Sequence, residues 1–490
     1  MKKRFLILFS GLLFCTISCS DDLSGLNDND KGFEKALPEG LMTNAQKEYG
    51  VWLMNTNSNR NLFRLFAQHW TGISYPDESN YNLTTRNVAG RTWSMLYKDI
   101  LKDLDEAHKL IQAQASGGDT AEDVIRRKNK LAILEIQSVV AWQSLIDVFG
   151  NVPYSQALDI NNISPEYDDA ATIYTDLIQR LNTAILDLDP DYGSFTEPYG
   201  NGSADLIFRG DAGKWLTYGN SIKLRMGMLL ADSDPALSKI LVEEAYASGV
   251  ISNPLDNATI TYSGSFPNTH PLWADLVQSN RRDFAPADTY VNALNGLNDP
   301  RRDVFFVDKL DGAYVGALYG ALTSYANTSH IGRAFFKPDL EGVLFDYSEA
   351  SFLLAEATER GYNVGGNAET LYNQAITANM NYWGIPDSDI SAYLAQPEVA
   401  YTTAAGSYKQ KIGVQSWIAL YNRGFEAWTV FRRLDAPALV APPTAQVITT
   451  VPVRFTYPLS EQTQNGANWS AAAAAIGGDK MDTKLFWDVN

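Results

Sequence analysis

The chain has 490 residues and carries 57 Asp and Glu against 39 Lys and Arg, a net charge of −18. Its 45% hydrophobic and 20% charged shares are those of a globular chain, which excludes wholesale disorder. The acidic balance excludes a nucleic-acid binder, which needs a basic face, and a basic peripheral membrane binder.

The amino terminus reads as an export signal. Lys2, Lys3 and Arg4 form a positive start, and Phe5 to Phe14 is an apolar run too short for a transmembrane span. Thr16 and Ser18 place small residues before Cys19, a site that resembles the lipobox of bacterial lipoproteins, with Thr16 in place of the usual Leu. Cys15 and Cys19 are the only cysteines, so no disulfide framework or cysteine zinc site lies in the body of the chain. Cleavage after residue 18 leaves Cys19 first, positioned for lipidation and membrane attachment through that anchor alone. Ordinary secretion with a leftover thiol is the alternative. Residues 19–32, rich in Asp, Asn, Ser and Gly, read as a flexible tether, and 33–490 as a single domain.

The body predicts helix after helix. Trp142, Leu145, Ile146 and Phe149 form an apolar stripe that Gly150 stops. Tyr174, Leu177, Ile178, Leu181, Ile185 and Leu188 form another, and Trp215, Tyr218, Ile222, Met226, Leu229 and Leu230 a third. Further helices are expected within 44–67, 92–115, 346–360, 367–383 and 415–434. Two pairs, 128–149 with 170–188 and 346–360 with 367–383, look like tetratricopeptide units, although no clean 34-residue period exists. Strand patterns are scarce, Val447–Phe455 being the best. The fold class is therefore all-α. Loop-rich segments fall at 191–212, 252–345 and 384–414. The middle one is long enough to be functional, and its aromatics argue against disorder.

Several segments resemble the SusD/RagB family of outer-membrane lipoproteins from Bacteroidetes. They are Phe149-Gly150-Asn151-Val152-Pro153-Tyr154; Trp215 through Asn220-Ser221-Ile222-Lys223-Leu224-Arg225; and Asp299-Pro300-Arg301. Phe352 to Ala357 with Arg360-Gly361, Gly424 to Trp428 with Arg432-Arg433, and Pro452 to Ala467 followed by Gly477-Gly478-Asp479 and Thr483 to Asp488 complete the set. Each is short; their order along the chain makes the match specific. The resemblance implies tetratricopeptide-like helix pairs supporting a loop-rich ligand face. It also implies a non-enzymatic, lipid-anchored protein of the outer membrane that faces the cell exterior. Such a protein binds oligosaccharides, or in some members peptides, and lids a SusC-like TonB-dependent transporter. No cofactor is implied.

Glycan capture requires flat rings for the C–H face of a pyranose, and amides or carboxylates for its hydroxyls. Two loops offer this mixture. The first holds Trp70, Tyr75, Asp77 and Tyr81; the second holds Asn268 and Trp273 in a Pro-broken stretch. Tyr314, Tyr319 and Tyr325 follow, among glycines that suggest close backbone packing. Arg281, Arg282, Arg301 and Arg302 could make the site locally basic. Trp142, Trp215, Trp417 and Trp428 lie on helical stripes and are expected in the core, and Glu356 and Arg225 are expected to pair internally. Asp187, Asp189 and Asp191 lack the Gly position and closing Glu of a calcium loop, and the four His share no ligand spacing, so no metal site is expected. A glycosidase would need only two carboxylates, such as Asp77 and Glu78, but no hydrolase motif accompanies them. A scaffold that caps the transporter with all its rings buried is the remaining alternative.

Overall fold

The computed structural model describes residues 36–55, 62–195, 204–445 and 447–489. The signal segment, Cys19 and the tether lie outside the described residues. From residue 38 onward the chain is one unit built mainly of helices, with three two-stranded sheets among the described residues.

The helices are α1 Pro38–Met54, α2 Phe63–Phe66, α3 Val88–Ser94, α4 Lys102–Ala113, α5 Ala121–Phe149, α6 Ala170–Asp187, α7 Ala212–Leu229 and α8 Pro235–Ser248. Then come α9 Pro271–Trp273, α10 Asp288–Gly296, α11 Arg302–Phe305, α12 Tyr347–Glu359, α13 Ala368–Tyr382 and α14 Asp387–Leu394. The last four are α15 Tyr408–Ala419, α16 Gly424–Leu434, α17 Leu459–Gln464 and α18 Gly466–Ala475. The strands are β1 Trp70–Gly72, β2 Ala258–Ile260, β3 Phe284–Pro286, β4 Phe306–Val307, β5 His330–Ile331 and β6 Gly342–Phe345. β1 pairs with β3, β2 with β6 and β4 with β5, all antiparallel.

Both expected helix pairs form: α5 packs on α6, and α12 on α13. Two more, α7 with α8 and α1 with α4, join them. The caps follow from sequence. Thr120 and Asp123 form a capping box at the start of α5, and Asp169, Asp211, Asp346 and Asn367 cap α6, α7, α12 and α13. On α6, Ile173, Tyr174, Leu177, Ile178 and Leu181 are buried, each stabilising the pair by roughly 1.5–3 kcal/mol. α5 is long and apolar enough to cross a membrane by composition, yet its apolar window is 78% buried inside the fold, which makes it the central core helix.

The segments carrying the family resemblance are joints. Gly150 ends α5 at φ +83°, and Asn151 Oδ1 accepts the Ala170 N–H at the start of α6 at 3.0 Å. Asp299 and Arg301 form an ion pair at 2.6 Å with neither side chain exposed, and Arg301 also donates to Asn379 of α13. Glu356 pairs with Arg360 and Arg433, and Arg225 with Glu349. The Arg432 guanidinium lies 3.6 Å from the Trp428 ring centroid and donates to Asp147 O.

Three expectations change. The expected 44–67 helix appears as α1, which ends at Met54, and α2, which starts at Phe63, and the expected 415–434 helix breaks at 420–423. Val447–Phe455 is not a strand. Pro452 has no N–H, and the N–H groups of Val453 and Phe455 go singly to Met481 O and Val148 O rather than to a ladder. The long 252–345 loop holds all the short strands but β1.

Candidate functional site: an aromatic and cationic loop face

β1 and β3 form the floor of the site. Their register sets Trp70 opposite Pro286, Thr71 opposite Ala285 and Gly72 opposite Phe284. Ala287 then bridges to Ala317, so three distant segments meet edge to edge. Ile73, Ala285 and Ala317 make a small apolar cluster against which Tyr325 packs. Further hydrogen bonds lock the loops. Asn80 Nδ2 donates to Pro76 O at 2.9 Å and to Gly320 O at 2.7 Å, and Thr323 N donates to Ile73 O at 3.2 Å. Thr444, from a segment the sequence did not point to, donates to Asn80 Oδ1 and Gly320 O.

Two glycines are required here. A Cβ on Gly316 would lie 2.4 Å from Asp288 Cα. Gly320 sits at φ +76°, where a Cβ would lie 2.7 Å from Pro442 and 2.9 Å from Asn80 Oδ1.

The sequence-predicted residues divide by exposure. Tyr75 is 60% exposed, with the Arg86 guanidinium 5.5 Å from its ring centroid. Arg86 is in turn held by buried Glu78 and lies 3.8 Å from half-buried Asp77. Burial raises the Glu78 carboxyl, with Arg86 opposing the shift. Tyr325 is half-buried; His330 stacks on it with centroids 3.6 Å apart, and exposed Arg282 lies 5.4 Å from its centroid. His330 is pinned by Asp308 at 2.7 Å and by Tyr325 O at 2.8 Å. Trp273 is half-buried outside the packed core and pairs with no other ring among the described residues. Asn268 is exposed in the loop that carries exposed Phe266. Tyr314 is half-buried and committed to Asp303 at 2.7 Å, with Lys309 4.7 Å from its ring centroid.

Trp70, Tyr81 and Tyr319 depart from the expectation of open stacking rings. Trp70 is 2% exposed, because β1 turns it inward, where its indole N–H donates to Tyr421 OH at 2.8 Å. Tyr81 is fully buried against Phe66 and Tyr319, and burial pushes its hydroxyl up to about 12. The Tyr319 hydroxyl donates to Leu65 O at 2.7 Å. These three hold the loops instead of facing solvent. Arg301 is likewise unavailable, and Arg302 is tied to Asp299 O, which leaves Arg281 and Arg282 as exposed cations.

Tyr75, Asp77 and Tyr325 are thus gathered on one locked set of loops. Trp273 and Asn268 precede it in the segment that reaches β3, where Arg281 N donates to Asp275 O. Sequence reasoning missed Arg86 and the exposed Leu318 and Leu322. No spacing links Arg86 to Tyr75; only the folded turn brings them together. The arrangement offers rings with fixed cationic neighbours, Arg86 at Tyr75 and Arg282 at Tyr325, suited to binding neutral polar rings.

A family model described as SusD-like, starch-binding and associating with the outer membrane matches residues 30–458. The chain belongs to this SusD-like family. Among solved structures it is similar to a Bacteroidetes SusD-like protein, with TM-score 0.79 and 24% identity over 93% of this chain and 100% of that one. A chitin-binding protein matches with TM-score 0.74 and 25% identity over 92% and 100% of the two chains. A chitin-binding SusD homologue from Flavobacterium johnsoniae matches with TM-score 0.77 and 24% identity over 92% and 99%. No curated protein sequence matches the chain. The helix pairs described above are those of the SusD-like fold.

Proposed function

We propose that this chain is a saccharide-binding lipoprotein, anchored at the outer membrane through Cys19 and facing the cell exterior. It captures an oligosaccharide on the loop face and passes it to a SusC-like TonB-dependent transporter. The observation that carries the reading is the exposed Tyr75 ring, braced by Arg86 and Glu78, on loops locked to those bearing Tyr325 and Arg282. A pyranose lays its C–H face on such rings, and Arg86, Asp77, Arg282 and Asn268 meet its hydroxyls. The family description and the chitin-binding neighbours support saccharide over peptide. Function is binding and release, with no bond broken by the protein.

The test is calorimetry on the full-length protein in detergent with chitohexaose, maltoheptaose and a peptide digest. Binding of either saccharide, weakened about fivefold by Trp273→Ala, is expected, since one aromatic contact contributes roughly 1 kcal/mol. Binding of peptides alone would replace the ligand class. Silence towards all three would favour a scaffold that caps the transporter.

A further inference from the structure

A second concave site lies apart from the loop face, between residues 334–341 and the C-terminal end of α13. The groove has a volume of about 420 Å³ and is lined by Tyr382, Trp383, Lys337, Asp339, Leu340 and Glu341, among others. That volume falls within the range of small-ligand pockets. Trp383 is held from behind, its ring centroid 5.3 Å from Phe305 and 5.2 Å from Phe335. Tyr382 meets it edge-on at 5.0 Å, and the Tyr382 hydroxyl is bonded to Glu341, which together with burial raises it. Both rings are half-buried, so each keeps part of its surface open.

Three polar groups around these rings are uncommitted. Among the described residues no hydrogen bond or ion pair holds the Lys337 ammonium, the Asp339 carboxylate or the Trp383 indole N–H. Another surface cleft of similar size provides the contrast. It measures about 410 Å³ beside α4, α5 and α6, and its charged groups are occupied with one another. Arg180 binds Glu135 at 2.5 Å and Tyr154 OH at 2.6 Å, Tyr154 binds Asp176, and Lys109 binds Asp105 at 2.7 Å. That cleft is a structural joint. The α13 groove instead presents a braced indole with a free donor, a free cation and a free carboxylate.

We propose that this groove is a second saccharide-binding site, which takes a short stretch of neutral sugar. One pyranose face rests on Trp383, and its hydroxyls bond to Asp339, Lys337 and the indole N–H. Asp339 and Glu341 against the single Lys337 ammonium disfavour an acidic sugar. The inference rests on the reading that the chain captures saccharides, but shares no residue with the loop face. A long glycan could then be held at two points of one molecule, with avidity set by the span.

The test is equilibrium dialysis of the full-length protein in detergent with labelled maltotriose and triacetylchitotriose, counting ligands bound per chain. Two per chain are expected for the saccharide that binds. Lys337→Ala/Asp339→Ala, at two exposed positions, should reduce this to one; Trp383→Leu should do the same, with melting curves verifying the fold. Tyr75→Ala should weaken only the other, about fivefold. One ligand per chain, weakened by Tyr75→Ala and untouched by the groove variants, would overturn the groove and leave the loop face standing. One ligand lost only with the groove variants would support the groove and overturn the loop face. Absence of binding by either trisaccharide would overturn both.

Discussion

Tyr75 and Trp70 lie five positions apart in one loop, yet only one can meet a ligand. The pleat of β1 sends Trp70 inward, where its N–H finds Tyr421; the turn after Gly72 sends Tyr75 outward over Arg86. Their substitutions should therefore separate cleanly. Tyr75→Ala should weaken saccharide binding about fivefold, for loss of roughly 1 kcal/mol of ring contact. It should leave stability within about 0.5 kcal/mol of the parent, as exposed positions do. Trp70→Ala should instead destabilise the fold by roughly 3–5 kcal/mol, through the cavity and the lost hydrogen bond. Calorimetry beside urea unfolding checks both. A Tyr75→Ala protein that binds normally, or a Trp70→Ala protein of unchanged stability, would contradict this assignment.

The elements show what a sequence carries and what it conceals. Apolar stripes repeated over several turns, with Asp, Asn or Thr just before them, made α5, α6, α12 and α13 legible, and with them the two helix pairs. Strands of two to four residues have too few positions for a period to show, so β1 to β6 could not be read. Of the candidate site, ring type and loop placement marked Tyr75, Tyr325 and Trp273, which keep open surface. The inward turn of Trp70 and Tyr81 is set by partners more than 200 residues away, such as Tyr421 and Tyr319. Gly320 is the joint where those distant segments meet. Gly320→Ala should cost roughly 1–3 kcal/mol for a left-handed, crowded backbone. It should also weaken saccharide binding, since Asn80 and Thr444 both bond to this turn. Binding and unfolding measured together decide the matter; a stable variant that binds as the parent does would show that the turn does not hold the face.

Across the whole molecule, buried titratable groups set opposing pH dependences. His69 and His270 are buried, and that burial holds both near 3, far below their usual 6.5. As pH falls below 6.5 the unfolded chain takes up these protons first, so the stability they contribute at neutral pH is lost on acidification. Asp147 and Asp488 act the other way. Burial pushes both up to about 6 from 3.8, so the folded state holds their protons longer and stability falls as pH rises through that window. The two pairs offset each other between 3.8 and about 6, and below that window the histidines act unopposed. His270 is separable from the rest. Its Nδ1 accepts the Leu272 N–H at 3.1 Å as the cap of α9, a role Asn also performs. His270→Asn should be less stable than the parent at pH 7.5, because the ring packed on Tyr262 is lost. That deficit should shrink by about 1.4 kcal/mol for each pH unit below the ordinary histidine range, the value of one proton. Urea midpoints from pH 7.5 down to 4 measure it; a deficit of the same size at every pH would show that the His270 proton is not linked to folding.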